Sequence, residues 1–407
     1  MTKTTHFNPS DLRGLARLAT HATTGLADLV EAMHQTIARP VGGGGTQTPG
    51  RTRGLTGLVY KSVRGATRLV GGGLDAILAQ LTPTLTGRTS SPEREAVLAA
   101  LNGVLGDYLV AHDNPLAIPM NLRCNGRSLV LESQALASAI PQGAGKLAVL
   151  VHGLCMNDLQ WNRQGHDHGA ALARDLNYTP LYLHYNSGLH TSTNGRTFAG
   201  LLEVLLKRWP HPVDELVIIA HSMGGLVTRS ACHYGKVAGH DWPRQLRKLA
   251  FLGTPHQGAP LERGGNWVDV ILGATPYAAP FARLGKIRSA GITDLRYGNM
   301  LDEHWQGRDQ FAHARDTRQS VRLPDGVQSY AIAATTGKKP GDLRDRLLGD
   351  GFVPVSSALG RHKDSRRSLL FPKQRQWIGY GMSHLDLLDR TEAYDQIVRW
   401  FAPATAG

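Results

Sequence analysis

Cysteine is scarce in this chain. Three thiols in 407 residues, Cys124, Cys155 and Cys232, form no CxxC pair, no metal-ligand spacing and no even-numbered framework, which excludes a disulfide-stapled module. A reducing, cytoplasmic compartment is the expectation, or a fold that does not use disulfides. Long apolar runs are missing too. No stretch of about 18 apolar residues appears, so no bilayer-spanning helix is expected, and the polar start, Met1 to Ser10, leads into no signal-like apolar core. Aromatics are 6% and charged residues 19%, while apolar side chains reach 41%, enough to bury a sizeable core and unlike a disordered chain. The length suits one large α/β domain with additions, or two domains.

Acid is the other deficit. Lys and Arg number 45 against 32 Asp and Glu, a net charge of +13. Such a field attracts anionic surfaces, phospholipid or nucleic acid, and charge alone does not choose between them. No zinc-finger spacing, RNA-binding signature or block of five basic residues is present, so no nucleic-acid partner is expected.

Residues 1–90 read as a helical extension with a Gly-rich linker. Asn8 and Pro9 open one helix and Pro40 stops it; Gly42 to Gly54 is the linker. A second helical pattern runs to about Leu81, with Leu58, Val59, Val63, Val70, Leu74 and Ile77 on one stripe and Lys61, Arg64 and Arg68 on another. This stripe fits either an anionic membrane surface, making the protein a peripheral membrane one, or a cover over the main domain. Residues 91–407 alternate strand and helix signals, the pattern of a mostly parallel central sheet with helices on both faces. Strand candidates are Leu129–Leu131, Leu147–Val151, Leu181–Tyr185, Leu216–Ile219, Leu249–Leu252, Tyr330–Ala333 and Leu369–Phe371. Residues from about 260 to 320, with Trp267, Val268, Ile271 and Leu272, break this rhythm and fit a cap insertion over a site.

The chemistry concentrates after Leu216–Ile219. There Ala220-His221-Ser222-Met223-Gly224-Gly225 leads directly into a helical run, giving strand, tight turn and helix with Ser222 at the apex. A serine so placed sits at a helix N-terminus, where developing negative charge is stabilised, and its turn leaves no room for large side chains two positions away. The segment resembles the nucleophile elbow of the α/β-hydrolase fold, and the chain from about Leu129 to Trp400 is similar to lipases, esterases and GPI inositol-deacylase-like proteins. Ala220 stands where the family's first glycine is commoner.

That resemblance implies the rest of the machinery. The strand ending at Val151 runs into His152-Gly153-Leu154-Cys155, which resembles the family's oxyanion loop, so the amides of Leu154 and Met223 are the implied oxyanion donors and His152 a support for the loop. The family places acid and then histidine after the serine. Gly349-Asp350-Gly351-Phe352-Val353-Pro354 resembles its acid loop and assigns Asp350, with Asp342 and Asp345 read as solvated charges. His384, after the last strand signal and before a terminal helix, takes the place of the base; His304, His313 and His362 read as surface histidines. His256, in Gly253-Thr254-Pro255-His256, reads as a packed histidine in preference to a substrate contact. Asp386 sits where some secreted bacterial lipases bind calcium, but one carboxylate is no site for an ion taking six to eight oxygens. Cys155 reads as a small buried residue rather than a nucleophile. The expectation is a serine hydrolase of carboxylic esters, lipid or long-chain acyl esters in particular, acting through an acyl-enzyme with no cofactor and no metal. The rivals are an acyltransferase with the same triad and a non-catalytic lipid-binding scaffold.

Overall fold

The computed structural model describes residues 13–14, 16–17, 92–259, 289–307, 318–339 and 349–403. The chain divides into two compact units, Met1–Arg94 with Leu109–Ala117, and Glu95–Tyr108 with Ile118–Gly407. In the first, Arg13, Gly14, Ala16 and Arg17 are helical, Arg17 Nη1 donates to the carbonyl of Asp113, and Asn114 Nδ2 donates to that of Gly14. The rest of the expected N-terminal helices, the linker, and most of the expected cap, Trp267 to Leu272 included, lie outside the described residues.

The second unit is built on an eight-stranded sheet. Its strands are β1 (Asn121–Cys124), β2 (Arg127–Ser128), β3 (Lys146–Val151), β4 (Thr179–His184), β5 (Glu215–His221), β6 (Leu246–Leu252), β7 (Gln328–Thr335) and β8 (Gln376–Tyr380), in the order β2-β1-β4-β3-β5-β6-β7-β8. β1 pairs antiparallel with β2 and β4, and the remaining pairs are parallel. Helices in the described residues are α1 (Pro92–Ala111), α2 (Ser133–Ala139), α3 (His168–Leu176), α4 (Thr191–Arg208), α5 (Met223–Val237), α6 (Ala290–Tyr297), α7 (Val355–Ala358) and α8 (Thr391–Phe401).

The strands in the middle are apolar on both faces because both faces are covered. Period-two alternation sends Leu147, Val149 and Val151 of β3 into one layer, with Phe198, Leu202 and Leu205 of α4 and Val227 and Ala231 of α5. Ala148 and Leu150 face the other layer, with Ala171 and Leu172 of α3 and Ala393, Ile397 and Phe401 of α8. This is the α/β-hydrolase architecture. The chain winds from β3 outward to β4, then returns across β3 to β5 and proceeds to β8, so the direction of winding reverses at β3. Loops leaving the carboxyl ends of β3 and β5 there diverge, which opens a crevice.

Two strand expectations need correction. Leu129–Leu131 is not a strand; β2 spans only Arg127–Ser128, with one further hydrogen bond from the Leu129 amide to the Leu122 carbonyl, in a hairpin turned by Asn125 and Gly126, both at positive φ (51° and 72°). Leu369–Phe371 is not a strand: the Leu369 amide donates to the Gly360 carbonyl, Leu369 and Phe371 are buried in the core while Leu370 is 86% exposed, and Pro372 follows without an N–H. The last strand is β8, whose half-buried edge residues give a weaker apolar signal. Among the described residues no helix is long and apolar enough to cross a membrane.

Candidate active site

β5 delivers Ser222 to the head of α5 in a conformation few L residues adopt, φ 53° and ψ −125°. The position is strained, and the surroundings hold it there. Its amide donates to the carbonyl of Leu252 at 2.8 Å, and its carbonyl accepts from Gly225. Gly224 is glycine of necessity: a Cβ there would lie 2.5 Å from the carbonyl oxygen of Val151 and 2.6 Å from that of His152. The close packing of α5 on the end of β3 therefore brings the serine beside the loop that β3 feeds.

That loop is held from beneath. Cys155 turns at φ 58°, its amide donates to Ser187 Oγ at 3.0 Å, and Gly103 of α1 lies so near its sulfur that no side chain would fit. His152 is fully buried, stacked on Tyr185 with ring centroids 4.3 Å apart, and the Tyr185 hydroxyl donates to the His152 carbonyl. Burial lowers the His152 pKa to about 3, so this ring is a neutral prop. Burial also pushes the Cys155 thiol up to about 12, which removes its thiolate at neutral pH. Among the described residues neither the Leu154 nor the Met223 amide has a hydrogen-bond acceptor. Leu154 lines the cavity that Ser222 enters, and the buried Met223 begins the helix directly after the serine.

Asp350 and His384 meet here although β8 and its flanking loops separate them. Asp350 Oδ2 lies 2.6 Å from His384 Nδ1, with both side chains buried. Asp350 Oδ1 accepts from the amides of Phe352 (2.9 Å) and Val353 (2.8 Å), and the Asp350 carbonyl accepts from the His384 amide. Every carboxylate acceptor is thereby occupied by a donor, which leaves Nδ1 as a donor and Nε2 as the basic nitrogen. Gly253, at φ 58°, backs the imidazole: a Cβ would stand 2.9 Å from His384 Cε1. His221, the residue before the serine, lies with its Nε2 3.2 Å from the His384 carbonyl and its ring centroid 4.6 Å from that of His384. Burial, then the neighbouring His384, holds the His221 pKa well below the ordinary histidine value.

Ser222 and His384 line one cavity, partly open to solvent, whose remaining wall is mostly apolar and includes Met156, Pro255, Leu295, Phe352 and Leu385. The sequence reading missed His221, Tyr185 and the lining residues Met156 and Leu295; only the x position of the Ala-x-Ser-x-Gly segment carried a signal for any of them. It also misread His304, which is buried and accepts from the Met300 amide, because a short helical turn folds it inward. His362 is half-buried, and His313, Asp342 and Asp345 lie outside the described residues. His256 is packed against Phe251 and Phe371. Asp386 accepts from the Ser383 amide at 2.7 Å. Among the described residues no group of three His, Cys, Asp or Glu could hold a metal.

Residues 142–322 match the family model described as the PGAP1-like alpha/beta domain. No curated protein matches the chain. Among solved structures, the mature form of a lipase from Bacillus licheniformis is 15% identical, with a TM-score of 0.39 over 62% of this chain and 90% of its own. A gene product from Listeria innocua is 14% identical, with a TM-score of 0.37 over 64% of this chain and 95% of its own. An esterase from Pyrococcus furiosus is 11% identical, with a TM-score of 0.38, covering 64% and 81%.

Proposed function

We propose that this α/β-hydrolase domain is a serine hydrolase of carboxylic esters. The observation that carries the reading is the 2.6 Å contact between Asp350 and His384 beside the cavity where Ser222 sits at its strained turn. His384 Nε2 takes the proton of Ser222 as the oxygen attacks an ester carbonyl, and Asp350 holds the ring in the tautomer that can do so. The amides of Leu154 and Met223 receive the oxyanion, aided by the positive end of α5. His384 then returns the proton to the departing alcohol, and water releases the acyl group by the same base.

The apolar wall favours an acyl group with a hydrocarbon chain, so a lipid or long-chain ester is the proposed substrate class. Fluorophosphonate labelling is the direct test. Wild-type protein should label and Ser222→Ala should not; absence of label on a folded wild type would favour a lipid-binding scaffold. Product analysis with an added alcohol distinguishes hydrolysis from acyl transfer, which uses the same residues.

An anionic membrane surface is the proposed partner of the basic stripe Lys61, Arg64 and Arg68, on the strength of the +13 net charge. The triple Gln variant should pellet less with phosphatidylglycerol liposomes than wild type while turning over a soluble ester equally well. Equal pelleting would refute the surface contact.

A further inference from the structure

One buried cation in the second unit is left without a counter-charge. Arg229 lies in the middle of α5, 3% exposed, and has no carboxylate partner among the described residues. Its Nη2 donates to the carbonyl of Val321 and its Nη1 lies 3.3 Å from His256 Nδ1, but its Nε meets no acceptor. Guanidinium nitrogens only donate, so His256 Nδ1 is the acceptor of that contact and the hydrogen of the neutral ring sits on Nε2. That Nε2 is likewise buried and unpartnered. Two buried donors thus lack acceptors, beside a charge that the Val321 carbonyl and His256 only partly compensate and that no carboxylate among the described residues neutralises.

Both residues line a small cavity whose wall also includes Gln257, Arg318, Ser320 and Arg367. It shares no lining residue with the cavity at Ser222. A broader groove continues from it, sharing Arg229 and Ser320 and adding Arg322, with Lys236 paired to Asp325 and Arg244 to Asp241. The smaller cavity is therefore lined by three guanidinium groups and by no carboxylate among the described residues. A water would satisfy a lone donor but would not compensate the charge. A tetrahedral oxyanion does both, since its several oxygens accept from donors arriving from different directions and guanidinium groups pair with it well.

We propose that the cavity between α5, the His256 loop and residues 318–321 binds a phosphate group, either free or as the head of a phosphorylated ligand lying in the adjoining groove. The site stands apart from the proposed ester chemistry and does not depend on it.

The test is thermal unfolding of the full chain in increasing inorganic phosphate, with ionic strength matched by chloride. Tm should rise saturably, by roughly 3–5 °C at a hundredfold excess over Kd for a chain of this size. Arg229→Gln should abolish the rise. Should that variant fail to fold, Arg318→Gln and Arg367→Gln, each half-exposed at the rim, should weaken phosphate affinity at least tenfold. Liposomes containing phosphatidic acid provide the second arm. Pelleting that inorganic phosphate competes away and Arg318→Gln removes assigns the site to a lipid head group, whereas a phosphate-dependent Tm with no such pelleting assigns it to a soluble phosphate. A Tm indifferent to phosphate at matched ionic strength, or a rise undiminished in the rim variants, overturns the proposal.

Discussion

Asp350→Asn should lower kcat/KM for an activated ester by about 10⁴-fold, the scale associated with losing the carboxylate behind a catalytic imidazole, while leaving KM for the same ester little changed. The reason lies in the donors around the carboxylate. Oδ2 faces His384 Nδ1 at 2.6 Å, and Oδ1 faces the amides of Phe352 and Val353. An asparagine can satisfy only one side. With its NH₂ toward His384, the ring must accept at Nδ1 and carry its hydrogen on Nε2, which can then no longer take a proton from Ser222. Turned the other way, the NH₂ opposes two backbone N–H donors in a buried site, at a cost of about 1–3 kcal/mol for each group left unsatisfied. The second orientation would keep Nδ1 a donor but only at that cost, so the first is expected to prevail, and it removes the proposed base while leaving the cavity intact, which is why kcat and not KM should respond. Measurement of both constants on protein whose circular dichroism matches wild type decides the matter. A folded variant within tenfold of wild-type kcat/KM would show that His384 is not oriented by Asp350 for catalysis.

The parts of this arrangement that were legible in the sequence are those in which local pattern and chemistry coincide. Leu216 to Ile219 is a run too apolar for an exposed strand, and Ser222 follows it with Gly224 two places on, so the strand, the turn and the close packing of α5 were all written in ten residues. Asp350 and His384 were readable only through resemblance, because nothing in their spacing of 34 residues indicates that the ends of β7 and β8 bring them together. Burial that depends on remote partners was not readable. Leu369 and Phe371 look like a strand because a chain buried in a core has the same apolar composition as one paired in a sheet. The hairpin at Asn125-Gly126 was signalled locally and overlooked in favour of the apolar residues after it. Arg229 is buried by residues about 90 positions away, and a polar residue on a helix gives no sign of such a partner in sequence.

The second large effect concerns stability in mild acid. His152, His168, His221 and His256 are each at most 2% exposed, and burial is the leading cause that lowers each pKa: to about 3 for His152, about 4 for His168, and well below 6.5 for the other two. In the unfolded chain each ring takes a proton near pH 6.5. Between that value and the folded values the unfolded state binds more protons than the native one, so stability falls as pH falls; above 6.5 these rings contribute no pH dependence. Each contributes up to a tenfold shift toward unfolding per pH unit; His152 and His168 together amount to on the order of 10³-fold between pH 7.5 and pH 5, and His221 and His256 add to it in the same direction. The urea midpoint should therefore drop steeply over that range, well above the pH at which ordinary carboxylates protonate. His168 offers an internal control: its Nε2 donates to the Leu387 carbonyl while Nδ1 accepts from His166, so His168→Gln can keep a donor there without a titrating ring and should flatten the slope by about one proton. A urea midpoint flat from pH 7.5 to 5 would mean that these imidazoles are not buried as neutral props. The location of two of them sharpens the consequence. His152 supports the proposed oxyanion loop and His221 precedes the serine, so charging them should disorder the proposed catalytic turn itself, and fluorophosphonate labelling should fail over the same pH interval in which the fold is lost.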